Sequence, residues 1–185
     1  MLTRRAALGV AAAAVLLAGA APPALATQTV LIGGGAAEGV ETLAARQICA
    51  LVEERAGHKY GCIPRTGPGS VFNLRAVEIG LMEFGFVQGA QAREAVSGSG
   101  AWKGEPLASL RSAFGLHPGA AQLVTAAGVA DDLVYDVVRT VFENLDVLRN
   151  AHPALGGLRP AAMLQDLPAP LHPGAARYYG EQGWL

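Results

Sequence analysis

Thr29-Val30-Leu31-Ile32-Gly33-Gly34-Gly35-Ala36-Ala37-Glu38-Gly39-Val40 reads as a strand, a glycine turn and the start of a helix. The first four residues are β-branched and apolar, as a buried strand requires. The glycines let the backbone turn sharply and approach whatever lies above it. From Val40 the apolar positions Leu43, Ala44, Ile48, Leu51 and Val52 fall on one helical face. A glycine turn feeding a helix N-terminus offers unpaired N–H groups and a partial positive charge, suited to an anionic or polar ligand. A tight β–α connection that binds nothing explains the same residues, so both readings stand at this point.

Working outward, Gly57 is placed to end the first helix. Residues 59–63 read as a second strand and 64–69 as a loop. Ser70 is a credible N-cap for a helix that carries Val71, Leu74 and Val77 on one face. A third strand is expected over 81–87, with Gly85 marking close packing or a nearby ligand. A short helix follows over 88–96 and is broken by Ser97-Gly98-Ser99-Gly100. Two more strands are expected over 110–116 and 122–126, split by His117-Pro118-Gly119. This alternation predicts an α/β fold with a mostly parallel sheet flanked by helices. In open sheets of that kind the ligand crevice lies beyond the carboxyl ends of the strands. The glycine turn, the 66–70 loop and Gln88 converge there, which favours a binding site over a plain connection.

The character changes at Asp131. Leu133, Val134, Val137, Val138, Val141, Phe142, Leu145 and Leu148 form the clearest helical stripe in the chain. Asp131 and Asp132 complement the dipole at its start. Pro160 can open a short helix, and a last helix is expected over 173–181. Leu-His-Pro-Gly-Ala-Ala occurs at 116–121 and again at 171–176. Two short copies do not make a repeat architecture, and each is read as a separate turn.

The chain has 185 residues. Arg4 and Arg5, an uncharged run over 6–21 and Ala24-Leu25-Ala26 form a secretory signal peptide pattern, too short in its apolar part for a spanning helix. Removing residues 1–26 leaves 159 residues with 12 basic and 15 acidic side chains, a net of −3 with His neutral. That balance is no footprint for nucleic acid. A chain of this size is expected to be one domain, with an α/β lobe over 27–126 and a C-terminal helical segment over 127–185 packing on it. Cys49 and Cys62 are the only cysteines. In an exported chain such an isolated pair points to a disulfide rather than a metal site, one that pins the first helix to the sheet and adds about 3 kcal/mol in the chain-entropy model.

The catalytic signatures are missing. The glycine turn carries Glu38 where a dinucleotide fingerprint needs its third glycine, and no Lys-Ser/Thr pair follows Gly39. Three of the four histidines, His117, His152 and His172, precede proline, which indicates turns rather than a metal cluster. No Gly-x-Ser-x-Gly is present. Tyr178-Tyr179 and Trp184 read as lid or packing residues. These readings place a binding protein ahead of an enzyme, with no cofactor and no metal expected.

Several stretches resemble one family, the TAXI-type solute-binding subunits of TRAP transporters. They include Val30-Leu31-Ile32-Gly33, Ile48-Cys49-Ala50-Leu51-Val52, Gly69-Ser70-Val71-Phe72-Asn73 and Glu83-Phe84-Gly85-Phe86-Val87-Gln88. Leu110-Arg111-Ser112-Ala113-Phe114 and Leu116-His117-Pro118 follow in the same order. The stronger C-terminal match runs through Leu133-Val134-Tyr135-Asp136-Val137-Val138, Val141-Phe142-Glu143-Asn144, His152-Pro153-Ala154 and Ala169-Pro170-Leu171-His172-Pro173-Gly174-Ala175 with Tyr178-Tyr179. The resemblance implies a type II periplasmic-binding-protein-like lobe, a periplasmic location, a small carboxylate or amino-acid solute, and delivery to a TRAP membrane permease.

Two departures from the family pattern stand out. Family members close two lobes over the ligand, whereas here the segment ending at His117-Pro118 runs almost directly into Gln122-Leu123-Val124-Thr125. Most of the second lobe is therefore expected to be missing. The pocket positions also differ. Glu38 stands where the family carries a small hydroxyl residue, Glu41 where it carries tyrosine, and Gly89-Ala90 where it favours Ser-Asp after the glutamine. The expected ligand-binding residues are Gly34, Gly35, Glu38, Ser70, Asn73 and Gln88, with glycine and helix N–H groups donating to the solute. Glu38 would repel a carboxylate there; Arg65 is open to pairing with it, to binding an anion, or to no role. The alternative function is a single-lobe interaction module that uses the exposed former cleft to bind a partner or form a homodimer.

Overall fold

The computed structural model describes residues 27–57, 59–117 and 120–185. The expected signal peptide lies outside them. Five strands form one sheet in the order β2-β1-β3-β5-β4: β1 (Gln28–Gly33), β2 (Tyr60–Arg65), β3 (Phe84–Gln88), β4 (Leu110–Gly115) and β5 (Ala121–Ala126). The pairs β1–β2 and β1–β3 are parallel, and β5 is antiparallel to both β3 and β4. Four strands therefore point one way and β5 runs against them. The short 116–120 connection dictates this, because it can close a hairpin but is too short for a parallel crossover.

The elements depart from the sequence expectation in detail. Strand β2 continues through Pro64 and Arg65, in register with Ile32 and Gly33. Proline is tolerated because β2 is an edge strand. Strand β3 starts at Phe84 rather than at residue 81. The Leu81 and Met82 N–H groups instead donate to the Ala76 carbonyl, closing the end of the preceding helix at 2.8 and 3.3 Å. Ser70 is not an N-cap: Gly69, at φ 104°, holds that position, and Ser70 is the first residue of the helix.

Helices α1 (Val40–Arg55), α2 (Ser70–Glu78) and α3 (Gly89–Ser97) follow β1, β2 and β3 in turn. The C-terminal block comprises α4 (Asp131–Glu143), α5 (Leu145–Ala151), α6 (Pro160–Met163) and α7 (Pro173–Glu181). The apolar stripe from Leu133 to Leu148 is buried throughout. It is divided at Asn144, whose φ of −128° breaks the helix while its side-chain amide donates to the Thr140 carbonyl at 2.8 Å.

The sheet has a core on each face. On one, Val30, Ile32, Phe84, Phe86 and Leu123 pack with α1, α4 and α7. On the other, Val87, Leu110 and Val124 pack with Leu74 and Val77 of α2, Ala92 and Ala95 of α3, and Trp102. The period-2 alternation of strand side chains sends neighbours such as Phe86 and Val87 to opposite faces.

Three ties fix the helices to the sheet, the last two of them in the C-terminal block. The Cys49–Cys62 disulfide joins α1 to β2, while the Tyr60 hydroxyl donates to Asp136 of α4 at 3.0 Å. Lys59 approaches the same carboxylate at 3.1 Å. Burial, and then the hydrogen bond to Asp136, push the Tyr60 phenol up to about 12. In the third tie, the Tyr179 hydroxyl donates to the Ala113 carbonyl of β4 at 2.7 Å, fully buried. Around it, the Phe142 ring meets Phe114, Tyr178, Tyr179 and Trp184 at centroid distances of 5.2–6.0 Å, within the range of favourable aromatic pairs. Tyr178, Tyr179 and Trp184 are thus packing residues.

Candidate functional site

Strand β1 leads through α1 to β2 on one side, while β3 leads through α3 toward β4 on the other. Neighbouring strands whose connections diverge make a topological switch point, where open α/β sheets bind ligands. An open cleft of about 320 Å³ lies there, at the carboxyl ends of β1 and β3. Gly34 and Gly35 from the turn line it, with Glu41 from α1 and Gln91 from α3. Pro68, Gly69, Ser70 and Val71 form the wall at the start of α2, and Gln88 ends β3 beside them. The N-terminal turns of three helices therefore border one cavity.

The turn is held by its own hydrogen bonds. Gly34 N donates to the Arg65 carbonyl at 2.7 Å, and Gly35 N to the Thr42 hydroxyl at 2.9 Å. Gly39 N donates to the Ala36 carbonyl at 2.9 Å. A side chain at Gly34 would stand 2.6 Å from the Thr42 Cα, so only glycine lets α1 approach this closely. Gly34 and Gly35 line the cleft as expected, but their N–H groups are already engaged and do not point to a solute.

Ser70 and Gln88 are also in the lining, and they are linked. The Ser70 hydroxyl accepts from Gln88 N at 2.9 Å, which leaves its proton available to donate. The Gln88 side-chain amide donates to Glu41 Oε1 at 2.8 Å. The first-turn N–H groups of α2 at Ser70 and Val71 have no intrahelical acceptor. With the Ser70 hydroxyl they are the donors this wall can offer.

Asn73 and Glu38 are not in the lining. Asn73 is 1% exposed. Its amide donates to the Gly34 carbonyl and to the Phe86 carbonyl, both at 2.7 Å. Asn73 is therefore the clamp under the cleft, and it ties α2 to β1 and β3. Gly85 belongs to the same contact: a Cβ there would stand 2.9 Å from the Asn73 Cβ, so its role is close packing. Glu38 sits in the exposed turn before α1. The acidic residue that reaches the cleft is Glu41, because it lies in the first turn of α1 beside Gln88. The Arg65 side chain is exposed, and among the described residues it makes no ion pair with Glu38.

Glu41 and Gln91 line the cleft and Thr42 holds its turn, and none of the three is among the expected ligand-binding residues. The signal for Thr42 was a β-branched hydroxyl residue in the first turn of a helix that follows glycines. For Glu41 it was an acidic side chain at a position where the resembling family carries tyrosine.

Two of the proline-preceding histidines do open helical turns. His152 Nδ1 accepts from Ala154 N at 3.1 Å, and His172 Nδ1 accepts from Gly174 N at 3.2 Å. His117 instead bonds the Ala154 carbonyl through Nε2 at 2.7 Å. Among the described residues no group of three or more His, Cys, Asp or Glu is gathered as a metal would need. No helix among them is long and apolar enough to cross a membrane.

A mostly parallel sheet with helices on both faces and a polar cleft at its switch point defines a ligand-binding lobe of the periplasmic-binding-protein kind. The family comparison agrees. A model of the NMT1-like family matches residues 32–127 and 119–183, and the chain belongs to that family. Its members are periplasmic-binding-protein-like, typically non-enzymatic, and usually extracellular or periplasmic. No curated protein matches the chain.

Proposed function

We propose that this chain is an exported receptor for a small solute, of the TAXI type that serves TRAP permeases, with the solute held in the cleft between β1, α2 and β3. The observation that carries the reading is the position of that cleft, at the switch point and walled by three helix N-termini. Residues 1–26 act as the signal peptide, and residues 27–126 and 127–185 form one lobe. Tyr60–Asp136 and Tyr179–Ala113 support that single unit. The two family-model segments overlap over residues 119–127, the place where the sequence passes from the first-lobe segment into the return strand. This supports an internal loss of the second lobe. Of the solutes the resemblance implies, small carboxylates and amino acids, both are small enough for a cavity of about 320 Å³.

One lobe buries less of a ligand than a closed pair does, so affinity should be weak. With Kd near 1 mM, 10 mM solute would stabilise the protein by about 1.4 kcal/mol. A thermal-shift screen of the exported chain against small carboxylates and amino acids, with its native mass measured alongside, tests this. The expected result is a monomer whose melting point rises with at least one solute. A melting point that no solute moves would sink the receptor reading.

A second reading is a homodimerisation or protein-interaction module. The observation favouring it is apolar surface at the start of α2, where Val71 of the cleft lining and the next residue, Phe72, are 45% and 43% exposed. An obligate dimer that ignores every solute is the outcome that selects it.

A further inference from the structure

We infer that Glu41 makes the cleft selective for solutes that carry a protonated amine, and that carboxylates without one are poor ligands. The inference rests on the solute-receptor reading and sharpens it to one residue and one functional group.

Three observations carry it. First, Glu41 is the only charged residue in the cleft lining among the described residues. Gln88 and Gln91 are neutral, and Arg65, the cation nearest in the topology, is not in the lining.

Second, the carboxylate is positioned but only half satisfied. Gln88 donates to Oε1 at 2.8 Å, whereas among the described residues no hydrogen bond reaches Oε2. That oxygen lies over the glycine turn, 3.4 Å from where a Cβ on Gly39 would stand and 4.0 Å from one on Gly35. The absence of side chains at both positions keeps the space in front of it open. A half-enclosed carboxylate with a free oxygen is best matched by a cationic donor, and it repels an anion.

Third, the glycine donors that would hold an anion at the turn are spent. The N–H groups of Gly34, Gly35 and Gly39 are hydrogen-bonded within the protein. So are those of Gln88, which donates to Ser70, and Gly89, which donates to the Ala120 carbonyl at 3.0 Å. The first turns of α1, α2 and α3 are left to receive a polar group, and Glu41 puts a full negative charge beside them. Specificity is a difference between ligands, and here the repulsive element against a plain anion is built in.

Matched solutes separate the possibilities. Norvaline carries both groups, butylamine only the amine and pentanoate only the carboxylate. Binding of each to the exported chain is measured by calorimetry at low and high salt, for the wild type and for Glu41→Gln. The substitution keeps an oxygen to accept from Gln88 and removes the charge.

The inference expects norvaline and butylamine to bind the wild type at least about tenfold more tightly than pentanoate, a preference that salt weakens. It expects Glu41→Gln to erase that difference, weakening the amines while pentanoate holds or improves. An unchanged melting curve would show that the variant folds. Pentanoate binding as tightly as the amines, or amines indifferent to Glu41→Gln, would overturn the role of Glu41 and leave the receptor reading standing. Binding of none of the three, together with silence across the wider solute screen, would overturn both.

Discussion

The two ends of α1 face different worlds. Its N-terminal turn borders the cleft, where Glu41 is half-exposed and bonded to an exposed Gln88. Toward its C-terminal end, Ile48, Cys49, Leu51 and Val52 are buried in the core shared with α4 and α5, and Cys49 is bonded to β2. The cleft end is polar, open and held by single hydrogen bonds. The buried face toward the opposite end is apolar and cross-linked. Stability and recognition are therefore separable in this lobe: substitutions in the packed block should cost folding free energy and leave the solute preference alone, while substitutions at the cleft should do the reverse.

The largest effect is expected at Phe142, which joins the aromatic cluster and is 7% exposed. Phe142→Ala should cost about 3–5 kcal/mol through lost burial and the cavity left behind. The check is a urea titration, in which the midpoint falls and the slope is unchanged. Where the folded variant is still populated, solute affinity per folded molecule should match the wild type. A changed solute preference would break the separation.

Asn73 sits on the boundary between the two regions, so its substitution sharpens the comparison. Asn73→Ala leaves the Gly34 and Phe86 carbonyls without their donor and should cost about 2–3 kcal/mol. It also loosens the floor of the cleft. Asn73→Ala should therefore weaken solute binding as well as stability, which calorimetry alongside the urea titration would reveal. A loss of stability with unchanged binding would mean that the glycine turn is held well enough by Thr42 and the Arg65 carbonyl alone.

The sequence revealed the packed block more fully than the cleft, and the reason is physical. Burial of a helix face leaves a periodic trace, so the stripe from Leu133 to Leu148 and the helix opened by Pro173 were readable from residue order. The disulfide was readable because only two cysteines exist. The cleft depends on which donors are already spent, and periodicity carries no trace of that. Gly34 and Gly35 line the cleft, but their N–H groups, expected to donate to a solute, are bonded within the protein. Asn73, expected as a ligand contact, is a buried clamp beneath the cleft, and Glu38 lies outside the lining that Glu41 joins. The hexapeptide at 116–121 and 171–176 shows the same limit. One copy joins two antiparallel strands and the other opens α7, so identical local sequence takes the structure its tertiary surroundings allow.

The smallest expected effect concerns pH and again separates the two regions. His172 is fully buried at the start of α7, its Nδ1 accepting from Gly174 N. Burial pulls its pKa below the ordinary histidine value, and this outweighs the opposing pull of Asp131, whose carboxylate lies 3.8 Å away. A group with a depressed folded pKa binds its proton more readily in the unfolded chain, so stability is lost as pH falls below about 6.5. Protonation also removes the Nδ1 acceptor on which the cap depends. The melting point should therefore decline between pH 7 and pH 5. Asparagine can still accept from Gly174 N but does not titrate, so His172→Asn should flatten that decline. The decline belongs to the packed block, so the ratio of amine to carboxylate affinity at the cleft should stay constant between pH 7 and pH 6. A ratio that followed the melting point would mean that the two ends of the lobe are coupled through the sheet.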